Sequence, residues 1–291
     1  MLKPFLKYLA YRVGYALLNW VPRRGLYRIA DRVGDIFYGI YPGGRNAVHA
    51  NLRQVVGEKV PDSYVEGLAR QIFRNAARYY ADMISTPRLD IERFARNDIV
   101  SHHIANLKDA IATGRGVILA SGHYGSPEVT AQFLRVYGIE LYVVTEPLAP
   151  RALSRFMDGL RSSQGHRFEP VGFEAMKESF RVLRKGGVVA LLYDRDVVGN
   201  GRPARFFGRE ALVPMGVADL AAKTGAVIVP AFCRRRPNGR FDVWIHEPLE
   251  PCSTGDSRRD RIATTEALLR ILEGYIREDP RQWVVLEPVW R

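Results

Sequence analysis

The chain is poor in cysteine, with only Cys233 and Cys252 in 291 residues. Two thiols cannot form a disulfide framework, and a reducing compartment is compatible with them. It also lacks an unbroken apolar run of membrane-spanning length. The best stretch, Phe5 to Val21, is 17 residues interrupted by Lys7 and Arg12, whereas a span needs about 20 apolar residues. No small-residue cleavage site follows, so a secretory signal is not expected. There is no Gly-x-Ser-x-Gly elbow to make a nucleophile of Ser121 or Ser126. No His-Glu-x-x-His helix or cysteine cluster marks a metal site, although His123, Glu128, Asp194 and Asp196 are donor types that a hard or borderline cation accepts. No metal and no other cofactor is therefore expected. Internal repeats, low-complexity tracts and a convincing linker are absent too.

Acids are scarce relative to bases, 31 against 43, which leaves a formal charge of +12. Residues 1–53 hold nine bases (Lys3, Lys7, Arg12, Arg23, Arg24, Arg28, Arg32, Arg45, Arg53) and two acids, Asp31 and Asp35. Leucine, tyrosine, phenylalanine and tryptophan are interleaved with them. Basic side chains among large apolar ones suit an anionic membrane surface. Nucleic acid is the rival polyanion, but no recognition motif of the usual classes supports it. Leu6, Leu9, Val13, Leu17 and Trp20 recur at helical spacing. They predict either a helix lying in the membrane interface or a core helix with one wet side.

With 47% apolar and 25% charged residues the chain is ordinary for a folded domain. Pro61 to Ile84 reads as a helix. The span Leu89 to Asn106 is mixed and short. From Gly116 strands and helices alternate. Val117–Ala120, Leu141–Thr145, Val188–Tyr193, Ala226–Cys233 and Phe241–Ile245 read as strands, with a terminal one over Trp283–Leu286. Glu128–Tyr137, Arg151–Ser163, Glu174–Lys185, Met215–Thr224 and Arg258–Arg277 read as helices. This predicts a single α/β domain over 1–291, a mixed and largely parallel sheet flanked by helices, with a helical membrane-associating N-terminal extension.

Sites on such sheets collect in loops beyond the strand carboxyl ends. Two polar loops follow strong strands. One is Gly122-His123-Tyr124-Gly125-Ser126-Pro127-Glu128. Ser126, Pro127 and Glu128 look like a capping hydroxyl, a proline at the first helical position and a first-turn acid. A tight strand-to-helix corner would bring the His123 imidazole near the Glu128 carboxylate, as a general base and its orienting acid require. The plainer alternative is a polar histidine at a strand end and an acid favouring a helix start. The other loop carries Asp194, Arg195 and Asp196, then Arg202, Arg205 and Phe206-Phe207-Gly208. Guanidinium groups bind phosphates through paired hydrogen bonds. Arg161, Arg195 and Arg205 are the candidates, with a salt-bridged loop as the alternative. The two phenylalanines either line an acyl channel or plug the core. His49, His102, His103, His166 and His246 stand outside any motif.

These blocks together resemble the bacterial lipid A biosynthesis acyltransferases and their actinobacterial relatives, the phosphatidylinositol mannoside acyltransferases. The resemblance spans nearly the whole chain. His123 to Glu128 is similar to the family's His-x4-acid motif, and Pro147 to Gly165, centred on Arg161, to its second block. Asp194-Arg195-Asp196 with Phe206-Phe207-Gly208, Pro214 and Gly216 is similar to its third. The ending Gln282 to Trp290 lacks the basic aromatic tail of many lipid A enzymes and looks more like the mannoside branch. The resemblance implies a glycerolipid-acyltransferase-like fold. It implies transfer of an acyl chain from acyl-CoA or acyl carrier protein to a membrane-lipid hydroxyl. His123 would be the base, Glu128 its partner, and Arg161 and Asp194 would help form the site. The expected location is peripheral, on the cytoplasmic face of the inner membrane. A non-catalytic lipid-binding protein and a metal-dependent lipid hydrolase are the rival readings.

Overall fold

Two helical layers and a seven-stranded sheet make up the structure. The computed structural model describes residues 2–290, apart from the side chains of residues 2–5 and 7. Lys3, Phe5 and Lys7, part of the basic apolar start, thus have side chains outside the described set. In chain order the helical N-terminal portion is α1 (Leu2–Leu18), α2 (Arg23–Ile40), α3 (Pro42–Val56) and α4 (Asp62–Ser85). Then come α5 (Ile91–Asp98), β1 (Ile99–His102), α6 (Ile104–Ala112), β2 (Val117–Ser121), α7 (Pro127–Phe133), β3 (Leu141–Thr145), α8 (Arg151–Ser162) and β4 (Arg167–Pro170). The remainder is α9 (Phe173–Arg184), β5 (Val188–Leu192), β6 (Arg202–Phe206), β7 (Arg209–Val213), α10 (Gly216–Thr224), β8 (Val227–Arg235), β9 (Phe241–Ile245) and α11 (Ser257–Glu278).

The sheet order is β1-β9-β8-β2-β5-β3-β4, with β6 and β7 forming a separate hairpin. All neighbours in the sheet are parallel except β8 and β9. The mixed, largely parallel sheet expected from the alternation is what forms. β2 lies at its centre, and Val117 to Ala120 are buried on both faces. That is why this segment reads as a continuous apolar run. One face is packed by α9, α10, α11 and the hairpin, the other by α5, α6 and α7.

The hairpin was not foreseen, since Asp194 to Arg205 reads as polar loop. Its inward residues Ala204, Phe206, Ala211 and Val213 alternate with exposed ones, a period of two too short to register against the charge around it. Phe206 and Phe207 are buried and pack with Trp290, so they plug the core. Trp283–Leu286 contributes one isolated bridge, Tyr124 to Trp283, rather than a strand.

The N-terminal layer is fastened through α4. Bidentate pairs join Arg74 to Asp35 and Arg78 to Asp31. Gly34 lets the two helices touch: a Cβ there would lie 2.6 Å from the Arg74 Cα. Among the described residues no helix is long and apolar enough to cross a membrane.

Candidate active site

The site is set by strand register. β2 and β5 are parallel neighbours, and Ser121 stands beside Leu192. His123 and Asp194 each follow two residues later, so both reach the carboxyl edge side by side. The His123 Nδ1 lies 2.7 Å from the Asp194 Oδ1. A carboxylate only accepts, so Nδ1 carries the proton and donates. The His123 backbone N–H also donates to the same carboxylate, at 3.1 and 3.0 Å. Asp194 is fully buried, and the imidazole is 22% exposed. Burial pushes the Asp194 carboxyl up, but the His123 charge and the hydrogen bonds from His123 and Trp283 outweigh it and leave it below the usual carboxylate value. Among the described residues Nε2 of His123 has no hydrogen-bond partner, so its lone pair faces outward.

Glu128 does not take the place expected of it. No hydrogen bond or ion pair joins it to His123. Its Oε2 accepts from the Tyr79 hydroxyl at 2.8 Å and from the Arg161 Nε at 3.2 Å. The reason is the path between the two residues. Gly125 turns at φ +66°, its N–H donates to the Gln282 carbonyl at 2.7 Å, and a Cβ there would fall 1.5 Å from the Cys233 carbonyl oxygen. The chain therefore crosses β8 before α7 begins, and α7 delivers Glu128 to α4 and α8. Ser126 does sit at the helix start, but its hydroxyl donates to Asp82 rather than capping.

Arg161 is buried and also bonds Asp158 and the Tyr79 hydroxyl. Burial presses its guanidinium down, and Tyr79, Glu128 and Asp158 more than reverse that, so its proton is held firmly. Tyr79, Glu128, Arg161 and Asp158 thus form a buried ionic brace through Glu128 Oε2, while Glu128 Oε1 has no hydrogen-bond partner among the described residues. Breaking it costs stability. Glu128→Gln keeps an acceptor but removes the charge opposite a buried guanidinium, worth about 1–3 kcal/mol. Thermal unfolding should show Tm lowered by several degrees, with the acid limb of the pH–rate profile unmoved. A moved limb would put Glu128 back on the imidazole.

The arginines divide. Arg195 lines a surface hollow with Asp194, Asp196, Leu212, Glu287, Pro288 and Val289. It is paired with Glu146 and, at 3.3 Å, with Glu287, so the salt-bridged reading holds for it, though it sits beside the His–Asp pair. Arg205 is exposed on the hairpin and makes no hydrogen bond or ion pair to His123 or Asp194; its backbone N–H donates to Glu266, and among the described residues its guanidinium has no acidic partner. The hairpin carries it away from the strand edge that holds the site. Two participants went unseen in the sequence: Tyr79 on α4 and Trp283 in the C-terminal segment. Neither lies in a motif, and only tertiary contact brings them in.

Four of the five other histidines are occupied elsewhere, and His103 is exposed at the start of α6. His166 is buried with its proton affinity pushed down to about 4 by desolvation, and it accepts the Leu141 N–H. His49 meets Tyr38, His102 meets Asp242 and His246 meets Tyr275. Among the described residues no three His, Cys, Asp or Glu side chains stand close enough to share a metal ion.

An α/β protein with a His–Asp pair at the carboxyl edge of its sheet, beneath a helical layer, is the class these features define. Sequence comparison gives the family: residues 1–291 match the bacterial lipid A biosynthesis acyltransferases, and the chain belongs to that family. It is an acyltransferase. A phosphatidylinositol mannoside acyltransferase of Mycobacterium tuberculosis is 30% identical over 97% of this chain and 87% of its own length. Its namesake in Mycolicibacterium smegmatis is 29% identical over 97% of this chain and 90% of its own.

Proposed function

We propose that the protein moves a fatty acyl chain from an acyl thioester, acyl-CoA or acyl carrier protein, to a hydroxyl of a membrane glycolipid of the phosphatidylinositol mannoside type. The observation that carries this reading is the 2.7 Å contact between His123 Nδ1 and the buried Asp194, with Nε2 left open at the sheet edge. The acceptor oxygen attacks the thioester carbonyl, and its proton passes to Nε2. The new C–O bond forms, the C–S bond breaks, and the proton leaves His123 for the departing thiolate. Asp194 stabilises the imidazolium in between. This replaces Glu128 by Asp194 as the partner of the base. The acceptor class is suggested by the names of the two mycobacterial relatives.

The acceptor resides in a bilayer, and the N-terminal layer presents a surface suited to one. On α1, Leu6, Leu9, Val13 and Leu17 are exposed, followed by Trp20 at 78%; on α2, Ile29, Val33, Ile36, Phe37 and Ile40 are exposed. Arg24, Arg28 and Arg32 run one turn apart beside the α2 stripe, and among the described residues none has an acidic partner. The charge useful for docking is narrower than the sequence suggests, since Arg23 is tied to the core through Tyr27 and Arg53 pairs with Asp62. Thioesters are aqueous, so the cytoplasmic face of the inner membrane is the proposed location. Burying an isoleucine in lipid is worth about 1.5–3 kcal/mol. Ile36→Asp combined with Ile40→Asp should therefore weaken partition onto phosphatidylglycerol-containing vesicles roughly 100-fold or more, read by vesicle sedimentation. Unchanged partition would reject this surface.

The function is tested with purified protein, labelled palmitoyl-CoA and total lipid of an actinobacterium. The expected product is a labelled, alkali-labile glycolipid ester. Release of free fatty acid alone, at a rate indifferent to added lipid, would make the protein a hydrolase instead.

A further inference from the structure

The C-terminal segment is built into the catalytic corner. Gly125 N–H donates to the Gln282 carbonyl, and Val284 N–H donates to the His123 carbonyl, both at 2.7 Å. The segment thus holds the main chain on either side of Tyr124. Between those two bonds stands Trp283, 1% exposed. Its indole Nε1–H donates to Asp194 Oδ2 at 2.8 Å. Among the described residues, His123 and Trp283 are the only side chains that donate to Asp194.

We propose that Trp283 is a positioning residue of the acyl-transfer reaction, holding the Asp194 carboxylate so that Oδ1 faces the His123 imidazole. The inference rests on His123 acting as base. A carboxylate turns about its Cβ–Cγ bond and has two equivalent oxygens. With Oδ2 fixed by the indole, Oδ1 is left for Nδ1, and the imidazole keeps the tautomer whose Nε2 accepts a proton. The indole is itself fixed, edge-on to Phe206 at 5.6 Å and 88°, and tilted against Trp290 at 6.0 Å. The hairpin and the chain's end therefore bear on the orientation of the base. The indole N–H also draws charge from the carboxylate. Without it the oxygen beside Nδ1 is richer in charge, and the imidazolium is held more tightly.

The test replaces Trp283 by β-(3-benzothienyl)alanine, which has the same shape and no N–H. A hydrogen bond to a charged group is worth about tenfold or more. Expected results are a fall in kcat of about tenfold or more, an unchanged KM for the thioester, and an acid limb of kcat/KM displaced to higher pH. The charged and titratable groups around the pair are Arg195 and Asp196 on the same loop, Glu287 on the C-terminal segment, and Tyr193, whose hydroxyl bonds the Leu268 carbonyl. The substitution leaves all of them in place, so a moved limb reports the indole. An unchanged kcat, or a reduced kcat with the limb unmoved, overturns the proposal, the latter because a merely structural tryptophan would behave so. A second measurement needs no change at position 283. The indole N–H resonance of Trp283 in the otherwise intact protein should move upfield in Asp194→Asn, and an unmoved resonance overturns the contact. Failure of the wider reading is separable: it would show as His123→Ala retaining turnover in the same assay.

Discussion

His123→Ala should reduce acyl transfer by roughly 10³-fold or more while the protein remains folded and bound to vesicles. The methyl group keeps nothing that accepts a proton, and a general base contributes about 10²–10⁴-fold. The imidazole is part-exposed at the strand end, so its removal opens no large cavity, and stability should change little. It does leave the buried Asp194 without its Nδ1–H donor. That carboxylate keeps the Trp283 indole and the His123 backbone N–H as donors, which limits the cost. The decisive comparison is kcat at the pH optimum beside a circular dichroism melt. A folded variant with half the parental turnover would remove His123 from the chemistry, and the function would need another base.

The sequence shows the central strands and the histidine, but not the histidine's partner. β2 and β5 are legible because each is an unbroken apolar run, buried from Val117 to Ala120 in β2 and at Val188 and Val189 in β5, and the polar loops that follow them were both singled out. His123 and Asp194 lie 71 positions apart. Their meeting depends on which strands are neighbours and on register, and no local pattern records either. Spacing favoured Glu128 because it is near in the chain. The turn at Gly125 and the pull of Arg161 then send it the other way. Tyr79 and Trp283 are harder still: each acts through a hydroxyl or an indole N–H at the end of a side chain that composition alone assigns to the core. Asp194 was legible as a residue of the second polar loop, and family resemblance named it as part of the site, but neither said what it touches.

Asp194→Asn should cost about as much as His123→Ala, although the two side chains have the same shape. Three donors converge on this group: the His123 backbone N–H, the His123 Nδ1–H and the Trp283 Nε1–H. A carboxylate accepts all three; an amide offers one oxygen and brings two hydrogens of its own. If its NH2 faces the indole, two donors collide. If its NH2 faces the imidazole, Nδ1 must accept, the proton moves to Nε2, and the lone pair that should take the acceptor's proton is gone. Either way the negative charge that steadies the imidazolium is lost. Turnover should fall roughly 10²–10⁴-fold, with little change in thioester KM. The double variant tells whether the two residues act as one device. If they do, Asp194→Asn adds almost nothing once His123 is alanine, because groups that work as a unit are far from additive. A double variant slower than His123→Ala by the full factor of Asp194→Asn would mean that the aspartate acts on its own, through the substrate rather than through the imidazole.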